Sequence, residues 1–385
     1  MDIKPYRLIK IFVIRILLAL IAAALIYFAV DYMTIAGWNN SESRIVRVLD
    51  AGDETPVVVD GGGNNQNAFQ MMQRLLRIEI LTGEQAGAKF NINAVRLKDS
   101  GVDVIKGRRY LLVEDVFNDG TVQYSIADAY RISLVAFITS LICFVLAALT
   151  GWRGVKAIIG LLISILVILF LMIPMIVDGW PPILPTLAST FIISCVTVYF
   201  VVKRAQYRLP AFLGSFGGVL AGFLLGLLMV YLWQLTGLAS DGAALLASTL
   251  PGIDMRGILL SAILIGAIGA VLDVGISVTA SMAELVDYDP EIPLGRLFLA
   301  GMNVGSEVLG SMINTLILAY IGSSLPMAVL ISAAGVNYIG LMNDPYVAQE
   351  LAQSLAGTVG LLLTIPVTAL FFTLQEAWMR RKDYN

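Results

Sequence analysis

The chain has 385 residues, of which 58% are hydrophobic and only 14% charged, and its formal net charge is −3. Soluble proteins carry about 25% charged residues, so this composition excludes an ordinary water-soluble globular protein. Histidine is absent and only two cysteines occur, in separate apolar runs, which excludes HExxH zinc sites, Ser-His-Asp triads and Cys/His metal clusters.

The chain begins with the basic segment MDIKPYRLIK, and an apolar run follows from Ile16 to about Ala36. About 20 apolar residues are enough to cross ~30 Å of hydrocarbon as a helix. No A-x-A cleavage site follows the run, so we predict a retained membrane helix rather than a signal peptide. The positive-inside rule places the N-terminus in the cytoplasm, and residues 1–37 form the first predicted part of the chain.

Residues 38–128 are predicted to form an extracytoplasmic β-domain. Four stretches alternate apolar and polar residues as half-buried strands do, and Gly- and Asp-rich turns separate them; the stretches are 44–49, 77–83, 89–97 and 108–116. Predicted turns include 52–56, 99–101 and 118–120. This spacing favours a small all-β fold, for which an OB-like barrel is our interpretation. Segment 60–67, DGGGNNQN, lacks the GK[ST] ending of a phosphate-binding loop and is interpreted as a surface loop.

Residues 129–385 are predicted to form a helical transmembrane domain. Eight further apolar runs occur, at about 130–150, 155–177, 183–202, 211–235, 257–284, 297–322, 325–342 and 355–378. Nine crossings would leave the basic C-terminal segment MRRKDYN outside, against the positive-inside rule. Because Pro326 and Gly335 weaken run 325–342, we predict eight crossings plus one partial or re-entrant element, with both termini cytoplasmic.

Run 257–284 carries polar residues on one helical stripe. Asp273, Ser277, Ser281 and Glu284 are spaced at i, i+4, i+8 and i+11, which aligns them on one face at 3.6 residues per turn. A charged group in hydrocarbon costs at least about 2.5–3.5 kcal/mol on insertion scales and marks a candidate functional site.

Run 297–322 repeats this pattern with Asn303, Glu307 and Asn314. A short loop joins the two runs, and each acid lies about 16 Å above the cytoplasmic end of its helix. We therefore expect Asp273 and Glu307 at equal depth in an antiparallel hairpin. Carboxylates among Ser and Asn oxygens suit a hard cation or shared protons, and Asp273 and Glu307 are the candidate ligands should a metal bind.

Several polar and small residues also have a purely structural interpretation. Ser and Asn side chains can hold helices together, although this explains the two acids poorly. Glu350 is either a third acid near the inner mouth or an interfacial residue. Glycines at 214, 218, 222 and 226 recur every four residues, which is typical of close helix packing.

Three stretches are distinctive: GAIGAVLDVGISVTASMAEL (266–285), GMNVGSEVLGSMINTLILAY (301–320) and GTVGLLLTIPVTAL (357–370). With further similarity at 81–94 and 129–137, they give the chain a resemblance to the YibE/F-like family of bacterial multi-pass membrane proteins. It implies a location in the bacterial cell (inner) membrane. In the family an Arg-Asp pair usually precedes a Gly-Thr-Met stretch; here Ser306-Glu307 keeps an acid but lacks the cation.

The sequence leaves two functions open. The first is a transporter or permease with Asp273, Ser277, Ser281, Glu284, Asn303, Glu307, Asn314 and Glu350 along an ion or substrate pathway. The second is a non-transporting assembly or sensing protein whose β-domain binds an envelope partner. An intramembrane aspartyl enzyme is disfavoured because the GxGD signature is missing, so we expect no catalytic residues and no cofactor. The expected partners are the lipid bilayer, a small cation or proton and a second copy of the chain in a homo-oligomer, but no nucleic acid.

Overall fold

The computed structural model describes residues 5–38, 43–58, 70–83, 85–97, 102–116 and 122–383. The chain divides into two compact units, Met1–Gly154 and Val155–Asn385. The predicted loop 60–67 and the predicted turns at 99–101 and 118–120 lie outside the described residues.

The first unit contains a five-stranded antiparallel sheet, preceded and followed in the chain by one helix each. Its elements are α1 (Pro5–Gly37), β1 (Ser43–Val58), β2 (Gln70–Ile80), β3 (Lys89–Leu97), β4 (Arg109–Val116), β5 (Val122–Ala129) and α2 (Ile132–Thr150). The strand order is β3-β2-β1-β4-β5, so β1 lies in the middle. The edge strands β3 and β5 also contact each other.

Period-two patterning gives the sheet one apolar face. Val46 and Val48 of β1, Ile78 of β2 and Leu112 of β4 are fully buried together, because alternate residues of a strand point to the same side. The hydroxyl of Tyr110 donates to the Asp103 carbonyl at 2.9 Å and anchors the loop before β4. Each of the four predicted stretches overlaps one of β1 to β4, although β2 ends at Ile80, before the predicted end at 83, and β5 was not predicted.

The turn predicted at 52–56 is wrong. β1 continues to Val58, and its pairing with β2 shifts between Val48 and Asp50 and again between Ala51 and Glu54. Such bulges insert an extra residue and bend a strand without ending it. Gly and Asp at this point therefore mark a bent strand rather than a chain reversal.

Helices α1 and α2 pack against each other. Ala19 and Ala23 of α1 are buried, since small residues let apolar helices approach closely. The ring of Tyr27 meets Phe137 edge to face at 6.3 Å.

The second unit is entirely helical in its described part. It contains most of α3 (Trp152–Val167), a π-helical turn (Ile168–Met172), α4 (Ile173–Val177), α5 (Ile183–Val201), a 3-10 turn (Ala205–Tyr207), α6 (Arg208–Leu232), α7 (Asp241–Thr249), α8 (Met255–Tyr288), α9 (Leu294–Ala333), α10 (Tyr338–Asn343) and α11 (Pro345–Asp383). Helix α8 is the most buried, with α5, α6, α9 and α11 packed around it.

Eight helical segments in the described chain are long and apolar enough to cross a membrane. They are α1, α2, α3 with α4, α5, α6, α8, α9 and α11, which agrees with the predicted number of full crossings. This set of helices is the architecture expected of a multi-pass membrane protein.

Run 325–342, predicted as the partial or re-entrant element, does not form a separate long helix. Residues 325–333 continue α9 through Pro326, and Gly335, with φ +69°, ends the helix. Pro326 removes the backbone donor that would otherwise reach the Gly322 carbonyl, yet the helix continues past it to Ala333.

The glycine stripe of α6 packs against α11, as predicted. A Cβ at Gly222 would lie 2.8 Å from the Ala356 carbonyl oxygen, and Gly214 and Gly218 contact Thr368 and Thr364. A larger side chain at these positions would separate the two helices.

Candidate functional site

The polar stripe of α8 lies on the exterior of the second unit. Asp273 and Glu284 are exposed, and Ser277 and Ser281 are half-buried. The opposite side of α8 supplies buried core residues such as Val278. The apolar half thus fixes the helix in the bundle and turns the polar half outward.

The polar stripe of α9 is also exposed. Asn303, Glu307 and Asn314 all lie on its outer side, whereas Gly305 faces inward and packs against Ile365 of α11. The two stripes that the sequence predicted therefore exist as helical faces, and neither is buried within this unit.

The packing of α8 against α9 sets the relative height of the two acids. Gly301 contacts the sulfur of Met282, and counting along the antiparallel helices from this contact places Asp273 level with about Gly310. Glu307 then lies about one helical turn, or ~5 Å along the axis, closer to the α8–α9 loop than Asp273 does. The sequence predicts that the two acids lie at equal height, and the structure differs from this prediction by that turn.

Neither acid has a partner within the described residues. No hydrogen bond or ion pair reaches the Asp273 or Glu307 carboxylate, and no group of three or more Asp, Glu or Cys side chains is positioned to hold a metal ion in that part of the chain. The arrangement thus consists of two separate, accessible carboxylates rather than a hydrogen-bonded acid pair sharing one proton.

Within the described residues, no candidate span carries a basic residue in its middle. Every Lys or Arg within such a span lies close to one of its ends; these residues are Arg15, Arg153, Lys156, Arg208, Arg256, Arg296, Arg380, Arg381 and Lys382. The described helices of the second unit therefore carry no cationic side chain halfway along their length.

Glu350 lies at the opposite end of the bundle from the α8–α9 loop. It occupies the first turns of α11, whereas Arg380 near the other end of α11 donates to the Ile292 carbonyl of that loop at 2.8 Å. With the loop in the cytoplasm, as the sequence predicts, Glu350 is at the outer end and not at the inner mouth. Because the apolar run in the sequence begins only at 355, the sequence did not predict the helical turns of α11 that precede it.

Glu350 belongs to a polar pair that the sequence did not indicate. Its Oε2 atom and the hydroxyl of Tyr320 are both buried without a hydrogen-bond partner in the structure, and the two groups interact electrostatically. Gly266 leaves the space that the Tyr320 hydroxyl occupies. Buried polar atoms of this kind are where ordered water is expected.

A cavity of about 320 Å³ lies beside Glu284. Lys203, Arg204, Tyr207 and Asp287 contribute to its lining. Arg204 donates to the Asp287 carboxylate, and this hydrogen bond raises the pKa of the Arg204 guanidinium. Glu284 therefore faces a cavity with both signs of charge, at the loop end of α8.

A buried ion pair joins three segments at this end of the bundle. Glu376, only 5% exposed, accepts a hydrogen bond from Arg380 at 3.1 Å and another from the Tyr207 hydroxyl at 3.2 Å. The Tyr207 ring stacks on Phe372 with centroids 4.4 Å apart. Sequence reasoning missed Glu376, although its i,i+4 spacing to Arg380 was a usable signal.

The core of the unit also contains hydroxyl groups that were not predicted as a group. Five Ser or Thr hydroxyls are buried with no hydrogen-bond partner in the structure: Ser189, Ser194, Ser215, Thr279 and Thr368. They lie where α5, α6, α8 and α11 pack closely, so we assign them to helix packing.

The chain matches the YibE/F-like protein family over residues 137–377. This is more than half of the chain, and the chain therefore belongs to that family. No curated protein and no solved structure matches the chain.

Proposed function

We propose that this YibE/F-like protein is a transporter or permease of the bacterial cell (inner) membrane, with Asp273 and Glu307 as an intramembrane carboxylate site for a hard cation or protons. One observation carries the proposal: both acids lie far from the ends of long apolar helices, and no described span carries a Lys or Arg in its middle. Such acids must meet water, a proton or a cation, because an unpartnered carboxylate is costly in hydrocarbon.

The surrounding side chains suit such a ligand. Ser277 lies one turn from Asp273 on α8, and Asn303 and Asn314 lie about one and two turns from Glu307 on α9. Hard cations prefer carboxylate, amide and hydroxyl oxygens, and the chain contains no His. Glu284 is assigned to the cytoplasmic side of the pathway and Glu350 to its outer side.

In this proposal both termini are cytoplasmic and the β-domain lies outside. The basic residues Arg204, Arg208, Arg296 and Arg380 gather at one set of helix ends and support this orientation. Strand order β3-β2-β1-β4-β5 and the contact between β3 and β5 support an OB-like closure of the sheet.

A second copy of the chain is the proposed cover for the outer face of α9. Asn303, Ser306 and Asn314 each carry a donor and an acceptor, so each can pair with its own counterpart across a two-fold axis normal to the membrane. Two Glu307 residues brought together in this way would share a proton.

Cysteine cross-linking tests this cover. In a Cys143→Ser, Cys195→Ser background, Asn314→Cys should form disulfide-linked dimers in native membranes, whereas Leu325→Cys, which lies three turns further along α9, should form fewer. A purely monomeric pattern for Asn314→Cys would show that another segment or protein covers the face.

Flux measurements in proteoliposomes test the proposed transport. Asp273→Asn and Glu307→Gln should each reduce proton or cation flux by roughly tenfold or more, because each removes a charged ligand from a low-dielectric site. Glu291→Gln is the matched control, since Glu291 is an exposed acid in the α8–α9 loop, and it should leave flux unchanged. Normal flux in both site variants would contradict the assignment of Asp273 and Glu307 to the site.

The second candidate function is assembly or sensing without transport. The exposed amides and hydroxyls of α9 favour it as well, because they suit contact with another membrane helix. Deleting residues 38–128 separates the two functions. Loss of an envelope partner with no flux in either the deleted or the intact chain would favour the second.

A further inference from the structure

We propose that the cavity beside Glu284 is a water-filled vestibule through which Asp273 is reached from the Lys203 end of the bundle. This inference deepens the proposed function and rests on it for the role of Asp273, although the cavity itself does not.

The lining of the cavity requires water. Lys203, Arg204, Glu284 and Asp287 place four charged side chains around about 320 Å³, and an ion without water or a partner in such a space is strongly disfavoured. Arg204 and Asp287 pair with each other, while both remain almost half exposed. Lys203 and Glu284 have no ion-pair partner within the described residues. The volume suffices for on the order of ten water molecules.

The shape of the cavity points it toward Asp273. Its wall on α8 runs from Asp287 through Glu284 and Ala280 to Ile276. These residues are spaced by three or four positions, so they follow one face of the helix for about 16 Å. Asp273 is the next position along that face, one turn beyond Ile276. The cavity thus ends one helical turn from the carboxylate.

The two ends of the cavity have different compositions. Ile276, Thr279 and Ala280 line the end toward Asp273, whereas the four charged residues lie at or near the ends of α5 and α8. A solute entering from this side meets charge first and then a less polar stretch below Asp273. Desolvation of an ion would occur in that stretch.

Thiol labelling tests the vestibule directly. In the Cys143→Ser, Cys195→Ser background, Ala280→Cys places a thiol in the cavity wall, and Val201→Cys places one in the opposite wall. Ser281→Cys is the matched control, because Ser281 follows Ala280 on α8 but does not line the cavity. A membrane-impermeant methanethiosulfonate is added to inverted and to right-side-out vesicles.

Both cavity thiols should react from the cytoplasmic face of inverted vesicles. Their rates should exceed that of Ser281→Cys by at least about tenfold, because only a hydrated, ionised thiol reacts quickly. Equal rates for Ala280→Cys and Ser281→Cys, or reaction of the cavity thiols only in right-side-out vesicles, would overturn the inference. Correct folding of each variant is verified by its monodisperse elution in detergent.

Labelling requires no transported solute, so its outcome is separate from that of the flux assay. Fast labelling with no flux would support a hydrated cavity and contradict the proposed transport. Flux that depends on Asp273 without labelling of either cavity thiol would support transport and contradict the vestibule.

Discussion

Asp31 of the first unit and Asp273 and Glu307 of the second unit all lie within long apolar helices, but their surroundings differ. In the first unit, Asp31 accepts hydrogen bonds from Arg109 at 2.5 Å and from Ser133 at 2.7 Å. In the second unit, Asp273 and Glu307 have no partner among the described residues. Asp31 also lies near the end of its span, whereas the other two lie far from the ends of theirs.

This contrast separates structural acids from candidate functional ones. Arg109 begins β4 and Ser133 lies in the first turn of α2, so the Asp31 contacts tie α1 to the sheet and to the second helix. The charge of Asp31 is compensated by its surroundings. An acid in a membrane helix therefore indicates function only when no partner compensates its charge. By this criterion Glu376, which is paired with Arg380, is a structural acid like Asp31.

The largest effect on stability is expected at Glu376. Glu376→Gln leaves the Arg380 guanidinium without its carboxylate partner and should lower the free energy of unfolding by about 2–4 kcal/mol. Urea or thermal unfolding in detergent measures this loss. Arg381→Ala, at the exposed neighbouring position, is the control and should change little. Equal stability of both variants would show that the ion pair contributes nothing to the fold.

A smaller loss is expected at Asp31. Asp31→Asn keeps the shape but removes the charge that Arg109 contacts, which should cost about 1–2 kcal/mol. Ser133→Ala removes one neutral donor and should cost less, about 0.5–1.5 kcal/mol. Thermal unfolding followed by the near-ultraviolet signal would check this order. The reverse order would mean that the hydroxyl, not the ion pair, holds the junction.

Substitution of Asp273 or Glu307 should change the stability in the opposite direction. Replacing either with its amide removes an uncompensated charge, so stability in detergent should be unchanged or higher by up to about 1 kcal/mol. The comparison of the two units fails if these variants lose as much stability as Asp31→Asn does.

The smallest effect is expected at Asp128. A hydrogen bond from Arg131 lowers the pKa of the Asp128 carboxyl, so its stabilising contribution is present above the unfolded pKa of about 3.9 and is lost as pH falls through the lower folded value. Because the pair is exposed to water, Asp128→Asn should not measurably change the melting temperature at neutral pH. A clear shift there would indicate a buried role for this pair.

The sequence predicted the helical fold well because apolar runs and flanking basic residues are strong signals. All eight long helices lie where such runs occur, and the α6 glycine stripe has its predicted role. Two local signals were misleading. Pro326 does not interrupt α9, and the Gly-Asp segment at 52–53 lies in a bent strand.

The candidate site was predicted only in part, for a physical reason. Periodicity shows that Asp273 and Ser277 share a face with Glu284, but it cannot show whether that face lies inside the bundle or outside it. The exposed position of the stripe, the cavity beside Glu284 and the location of Glu350 at the end of the bundle opposite the α8–α9 loop depend on contacts with distant helices. Local sequence patterns contain no such information.

Charge displacement on a solid-supported membrane tests the central claim most directly, since it detects a cation or proton entering the site even when turnover is slow. A pH step or a cation jump should give a transient current with the wild-type chain and with Asp31→Asn, and no transient with the double variant Asp273→Asn, Glu307→Gln. A wild-type current in the double variant, or its loss in Asp31→Asn while the protein remains folded, would contradict the division between partnered and unpartnered acids.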